Sequence, residues 1–280
     1  MNTLGIISLL LIVANVIFTY KGLTDPLFFY TWSLEVEKVL VFREYKRVIS
    51  AGFLHVSWLH LIFNLIALYS FGGSLEPYLG GFSFLLIYFA GLIGGNLFAL
   101  YVNRHHGQYS TVGASGAVCG ILFSSVALFP GTSIGFFGLF ALPAWLFGLI
   151  FIGFTIYGIK SRSGNMGHEA HLGGALAGMF TAILLEPSSL FVNYLPILAI
   201  TVPCVIFIYL LVSRPGVLLI PRGDRKQRQA KILSIDQRYN LRKKEEQKEI
   251  DAILEKIHRK GPDSLSQSEK DKLDAYSRSK

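Results

Sequence analysis

Charge is scarce over most of this sequence, and that scarcity decides its class. Only 16% of the 280 residues are charged, against about a quarter in an ordinary soluble domain. Residues 1–213 hold 8 Lys and Arg with 7 Asp and Glu, whereas residues 214–280 hold 18 and 11. The formal charge of +8 therefore belongs almost wholly to the tail, and a uniformly basic protein is excluded. Cysteine is equally rare. Cys119 and Cys204 both lie in apolar runs, which excludes a disulfide framework and leaves no metal-ligand spacing. No charge occurs from Met1 to Tyr20. Without a basic n-region or a small-residue cleavage site, this run reads as a retained span rather than a signal peptide. Alternation at period two is missing too, which argues against a transmembrane barrel.

What the chain has is long apolar runs. Hydrophobic residues make up 52% and the mean hydropathy is +0.48. A spanning helix needs about 20 mostly apolar residues, and seven stretches qualify: 4–20, 56–75, 82–103, 113–130, 141–159, 168–186 and 193–213. Continuous runs of this length satisfy their backbone groups in lipid only as helices. The expected fold is an all-α polytopic bundle of about seven transmembrane helices over 1–213, followed by a basic linker and a small helical tail over 214–280. Gly91 and Gly95, Gly116 and Gly120, Gly174 and Gly178 recur at four-residue spacing, which lets helix backbones approach closely in lipid. One long connection, 21–55, mixes charges with Phe28, Phe29, Tyr30 and Trp32, a composition suited to the headgroup region. In the tail, Ile250, Ile253, Leu254 and Ile257 share a helical face, and Ser266 with Glu269 fits a capping box.

Polar residues inside spans are costly and point to function. His60 and Asn64 stand one turn apart in the second span, Ser115 opens the fourth, and His171 opens the sixth. These spans run in the same direction, so all three groups fall near one membrane face, with His60 and Asn64 about 6–12 Å below the surface. Each residue has a bland reading. A serine among glycines packs helices, a membrane histidine bonds a neighbour, and an asparagine one turn away is interhelical glue. Their coincidence at one depth favours chemistry. Serine needs an adjacent base, histidine can take and return its proton, and the Ser115 amide at a helix N-terminus can face an oxyanion. Gly113 and Gly116 would leave room for a substrate backbone beside Ser115. Gly174 and Gly178 would let the sixth span close on the fourth. His168, Glu169 and His171 are spaced H-E-x-H without a third ligand, so no metal or other cofactor is expected. His168 reads as an interfacial or loop residue, and His105 and His106 as solvated.

The chain resembles the rhomboid intramembrane serine proteases. The pieces that carry the resemblance are "HLIFN" at 60–64, "GASG" at 113–116 and "AHLGGALAG" at 170–178, together with "RVISAGFLH" at 47–55 and "GGSLEPYLG" at 72–80. The resemblance covers roughly residues 43–186. It implies Ser115 as nucleophile and His171 as general base, a dyad without an acidic third member. It further implies that His60 and Asn64 line the oxyanion site, that His55 supports the loop, that Arg47 is the loop arginine, and that Glu76 holds a structural position. The seventh span would make this a six-plus-one member, with 21–55 as a first loop lying partly in the membrane. Two departures stand out: Lys46 precedes Arg47 where some members carry Trp, and Cys119 sits where some carry an aromatic that stacks on the base.

The expected activity is intramembrane serine endopeptidase. The expected partners are the lipid bilayer and transmembrane protein substrates, with the tail contacting anionic lipid or a partner protein and no nucleic acid. A catalytically silent relative that binds membrane segments, or a polytopic transporter, is the alternative. A transporter would favour repeats and midplane charges, neither of which is evident. Two signals on orientation oppose each other. The loop charges place the tail and the active-site face in the cytoplasm, while the resemblance implies a cell-membrane protein whose site opens on the extracytoplasmic side.

Overall fold

A computed structural model describes residues 5–136, 140–161 and 167–213, and in the tail Ile253, Lys256, Ile257, Ser266 and Glu269. The chain divides into two compact units, Met1–Gly223 and Asp224–Lys280.

Apolar runs of spanning length become helices in the first unit: α1 (Ile6–Thr24), then, after a connection, α5 (Trp58–Leu79) and α6 (Gly81–Val102). The connection itself is ordered into α2 (Pro26–Trp32), β1 (Leu34–Glu35), α3 (Val36–Leu40), α4 (Arg47–Ser50) and a 3-10 turn at Ala51–Phe53. Beyond α6 come β2 (Ser110–Thr111), α7 (Ser115–Leu128), a hairpin of β3 (Ser133–Phe136) and β4 (Phe140–Pro143), α8 (Ala144–Ser161), α9 (His168–Leu185), α10 (Ser188–Val192) and α11 (Tyr194–Ser213). Each expected span falls on one of α1, α5, α6, α7, α8, α9 and α11. Of the described helices, α1, α5, α6, α8 and α11 are long and apolar enough to cross a membrane. The protein is thus an all-α, multi-pass membrane protein.

The fourth helix departs from expectation. α7 has only 14 residues, about 21 Å at 1.5 Å per residue, less than a hydrocarbon core of about 30 Å. Pro130 closes it early, because the residue before a proline leaves the α region. Its orphaned carbonyls are met by the Asn193 amide, which donates to Ala127 O and Leu128 O at 2.8 and 3.2 Å. A hairpin follows, in register Ser133↔Pro143 and Ile134↔Leu142, and its second strand takes the first residues of the expected 141–159 span.

Short α7 is the centre of the bundle, flanked by α6 and α9. A methyl group on Gly174 would collide with the Gly116 carbonyl, and one on Gly178 with the Gly120 backbone, while Gly120 would bring its Cβ to 3.0 Å from Gly91 Cα. Backbone-to-backbone packing replaces side-chain interdigitation here. Ser124 adds a hydroxyl that donates to Gly120 O at 2.8 Å and to Gly178 O at 3.0 Å.

α1 is fastened to this core by polar groups at three levels. Near its start, the Glu76 carboxylate of α5 accepts from Ile7 N (2.9 Å), Ser8 N (2.8 Å) and Ser8 Oγ (2.6 Å). A carboxylate at a helix N-terminus satisfies orphan amides and meets the positive end of the dipole. Midway, the Asn15 amide donates to Leu11 O and to the Tyr88 hydroxyl. Near its end, Thr19 meets Phe53 O and His55.

The long connection is held by Arg47, only 3% exposed. Its guanidinium donates to Tyr30 O (2.6 Å), Ser33 O (2.8 Å) and Glu44 (2.6 Å), which holds the Glu44 carboxyl below the usual carboxylate range. Lys46 places its ammonium 4.9 Å from the Trp32 ring of α2.

In the second unit, Lys256 Nζ donates to both Glu269 oxygens at 2.9 and 2.8 Å. Ser266 N donates to Glu269 Oε2 (2.7 Å) and Glu269 N to Ser266 Oγ (3.4 Å), the reciprocal geometry of a capping box. Ile253 is buried and Ile257 half-buried; Ile250 and Leu254 lie outside the described residues.

Candidate active site

The starts of α5, α7 and α9 meet at one end of the bundle, and each carries a polar side chain in its first two turns. Ser115 is the first residue of α7 and His171 lies one turn into α9. His171 Nε2 stands 2.8 Å from Ser115 Oγ. With Nε2 unprotonated, the serine donates to it, which is the arrangement a base needs to remove that proton. The helix N-termini place three positive dipole ends around the pair, an environment that favours a developing anion.

Gly113, expected to leave room for a substrate beside Ser115, serves the backbone and the His60 ring instead. Its φ is +135°, a conformation that side-chain-bearing residues rarely adopt. A Cβ there would lie 2.9 Å from His60 Cε1, so the space the glycine leaves is filled by the His60 ring. Asn64, one turn below, is buried, and its amide donates to His60 O at 2.9 Å. His60 Nδ1 is buried without a partner among the described residues. Gly116, expected beside the substrate, faces Gly91 O and Ala170 O instead, because its position on α7 points into the α6–α9 seam. His168, expected at the interface, is buried to 3% exposure. Its ring sits against Gly158, whose missing side chain makes the seat, with Phe154 edge-on at 5.4 Å and His171 at 5.9 Å. His105 and His106 are exposed, as expected. Among the described residues no group of three or more His, Cys, Asp and Glu could hold a metal ion.

Three partners escaped the sequence reading. Phe151 of α8 lies 5.9 Å from His171 and so supplies, from another helix, the ring that Cys119 does not. β1 and β2 pair, Leu34 with Thr111 and Glu35 with Ser110, and Gly113 N donates to Ala51 O at 3.0 Å, so the first loop clamps the strand leading to Ser115. Thr19 was overlooked although it is a polar residue in an apolar span, in line with Ser8 and Asn15 at helical spacing; that pattern could have found it.

His55, outside the spanning helices, accepts from Ala114 N at 3.3 Å and lies edge-on to His60 at 4.9 Å. Burial, with a smaller contribution from neighbouring His60, lowers its pKa to about 3. A histidine whose pKa falls on folding contributes fully above its unfolded value near 6.5 and progressively less as pH drops towards 3. Lowering pH from 7.5 to 5 is therefore expected to cost about 2 kcal/mol of stability through this one group. Thermal unfolding in detergent at the two pH values measures it, and His55→Asn, though less stable, should show a smaller difference between them.

Comparison with known proteins places the chain in a family. Rhomboid protein 1, mitochondrial, of Saccharomyces cerevisiae is 36% identical over 137 residues, covering 47% of this chain and 39% of that protein. RHOMBOID-like protein 12, mitochondrial, of Arabidopsis thaliana is 34% identical over 146 residues, covering 46% and 43%. Rhomboid protease GluP of Bacillus subtilis is 30% identical over 142 residues, covering 51% and 26%. The match takes in less than half the length of each. Residues 233–279 match a family of unknown function (DUF6576). Residues 43–188, more than half of the chain, match the model of the Rhomboid domain, and the chain belongs to the rhomboid family.

Proposed function

We propose that this chain is an intramembrane serine endopeptidase that cuts transmembrane segments with a Ser115–His171 dyad. The observation that carries the reading is the 2.8 Å contact between His171 Nε2 and Ser115 Oγ, set at helix N-termini inside a membrane bundle. Ser115 Oγ attacks the scissile carbonyl while His171 takes its proton. The oxyanion is met by the Ser115 amide, in the first turn where amides lack intrahelical acceptors, and by the side chains of His60 and Asn64. His171 then protonates the leaving amine, and water, activated in turn by His171, hydrolyses the acyl-enzyme.

A helix hides its own carbonyls, so the substrate must unwind at the cut. Segments weakened by Gly, Pro or polar residues, with a small residue at the cut, should be cleaved faster than a uniform poly-Leu helix. Mass spectrometry of products from purified protein and paired model substrates tests this; equal rates, or cuts only in extramembrane loops, would sink it. The site is taken to open on the extracytoplasmic side of a cell membrane, so a reporter fused at Gly107 should report that side. The division at 213 belongs to the same proposal: a folded 1–213 protein should retain cleavage, because residues 214–280 supply no part of the dyad. Complete loss of cleavage in that protein would refute the division.

A further inference from the structure

A hydroxyl within a lipid-facing helix has to find a partner, and Thr19 of α1, fully buried, finds two. Its Oγ1 lies 2.8 Å from His55 Nδ1 and 3.2 Å from Phe53 O. The roles in this chain of contacts are forced. Ala114 N can only donate, so His55 Nε2, 3.3 Å away, is the acceptor and carries no proton. A neutral imidazole then holds its proton on Nδ1, and Thr19 Oγ1 accepts it. The threonine's own proton goes to Phe53 O. Every donor and acceptor is used, and the other tautomer would set two N–H groups head-on at Ala114.

His55 in turn touches both halves of the candidate site. It bonds the peptide just before Ser115, and its ring lies edge-on to His60, whose own ring fills the space Gly113 leaves. We propose that Thr19, from a span outside the matched residues 43–188, is a positioning residue. It fixes the His55 ring and, through it, the Gly113–Ala114 backbone and the His60 side chain, a role that rests on the protease reading above. α1 is suited to this because Glu76 and Tyr88 hold it at two further levels. It is part of the site's scaffold rather than a membrane anchor alone.

The test uses the full-length protein in bicelles, with Thr19→Val, which keeps the shape but removes the acceptor, and Thr19→Ser, which restores it. Cleavage of a model transmembrane substrate is followed well below each variant's melting temperature. Thr19→Val should lower kcat by up to about 100-fold, as small misplacements of reacting groups do, with KM little changed. Thr19→Ser should recover most of the loss. Nitrogen NMR on histidine-labelled protein, assigned with His55→Gln, should find His55 neutral with its proton on Nδ1, a state that Thr19→Val weakens. An unchanged kcat in Thr19→Val, or equal damage in Thr19→Ser, overturns the inference. If the wild type cleaves nothing, the protease reading fails separately and the imidazole decides the relay. A proton on Nδ1 that is lost in Thr19→Val upholds the Thr19–His55 link; a proton on Nε2 overturns it.

Discussion

Ser115→Ala should abolish cleavage of a transmembrane substrate while leaving the melting temperature nearly unchanged. The substitution removes one half-buried oxygen that meets His171, so little packing is lost. His171→Ala should abolish cleavage as well, since serine is a poor nucleophile without its base. The double variant should be no worse than either single one, because residues that act as a unit fail together. Asn64→Ala should be milder. Loss of one oxyanion donor costs about 100- to 1,000-fold in another serine protease, and here the amide of Asn64 already donates within its own helix to His60 O. Purified variants assayed in detergent, with melting curves alongside, give the comparison. Wild-type cleavage by Ser115→Ala would reduce the glycine-flanked serine to a packing residue.

The second large effect is structural. Gly178→Leu should prevent the protein from folding or cost at least about 3 kcal/mol, the upper end of what overpacking a well-packed interior does. Even a methyl at this position meets the Gly120 backbone, and backbone cannot swing aside as a side chain can. Gly174→Val should behave similarly through the Gly116 carbonyl, and it should also move His171, one turn before it on α9, away from Ser115. Gly153→Ala on α8 is the control, since nothing lies within 4 Å of its missing side chain; its stability should be unchanged or slightly raised. Unfolding in detergent measures all three. A Gly178→Leu protein as stable as the wild type would mean that α7 and α9 are not in backbone contact.

Much of this was legible because lipid enforces simple rules. Apolar length locates the spans, and small residues at four-residue spacing locate the α6–α7–α9 seam. Direction along alternating spans brings Ser115, His171 and His60 to one end. What escaped was contact between elements far apart in sequence. Phe151 against His171 depends on how α8 rotates about its own axis, which hydropathy does not encode. The pairing of Leu34 and Glu35 with Ser110 and Thr111 joins two short loop segments that no periodicity marks. Gly116 was assigned to the substrate space from its neighbour in sequence, whereas the 100° step between adjacent helical residues turns it into the seam. His168 reads as interfacial by type, and only the bare Gly158 opposite it lets the ring be buried.

The central claim is that Ser115 is a nucleophile activated by His171. The most direct measurement is intact-protein and peptide mass spectrometry after reaction with a fluorophosphonate, which phosphonylates an activated serine with loss of fluoride. A single adduct on Ser115, absent from both Ser115→Ala and His171→Ala, is the expected result. No adduct on the folded wild-type protein, or an adduct that persists on Ser115 when His171 is alanine, would contradict it.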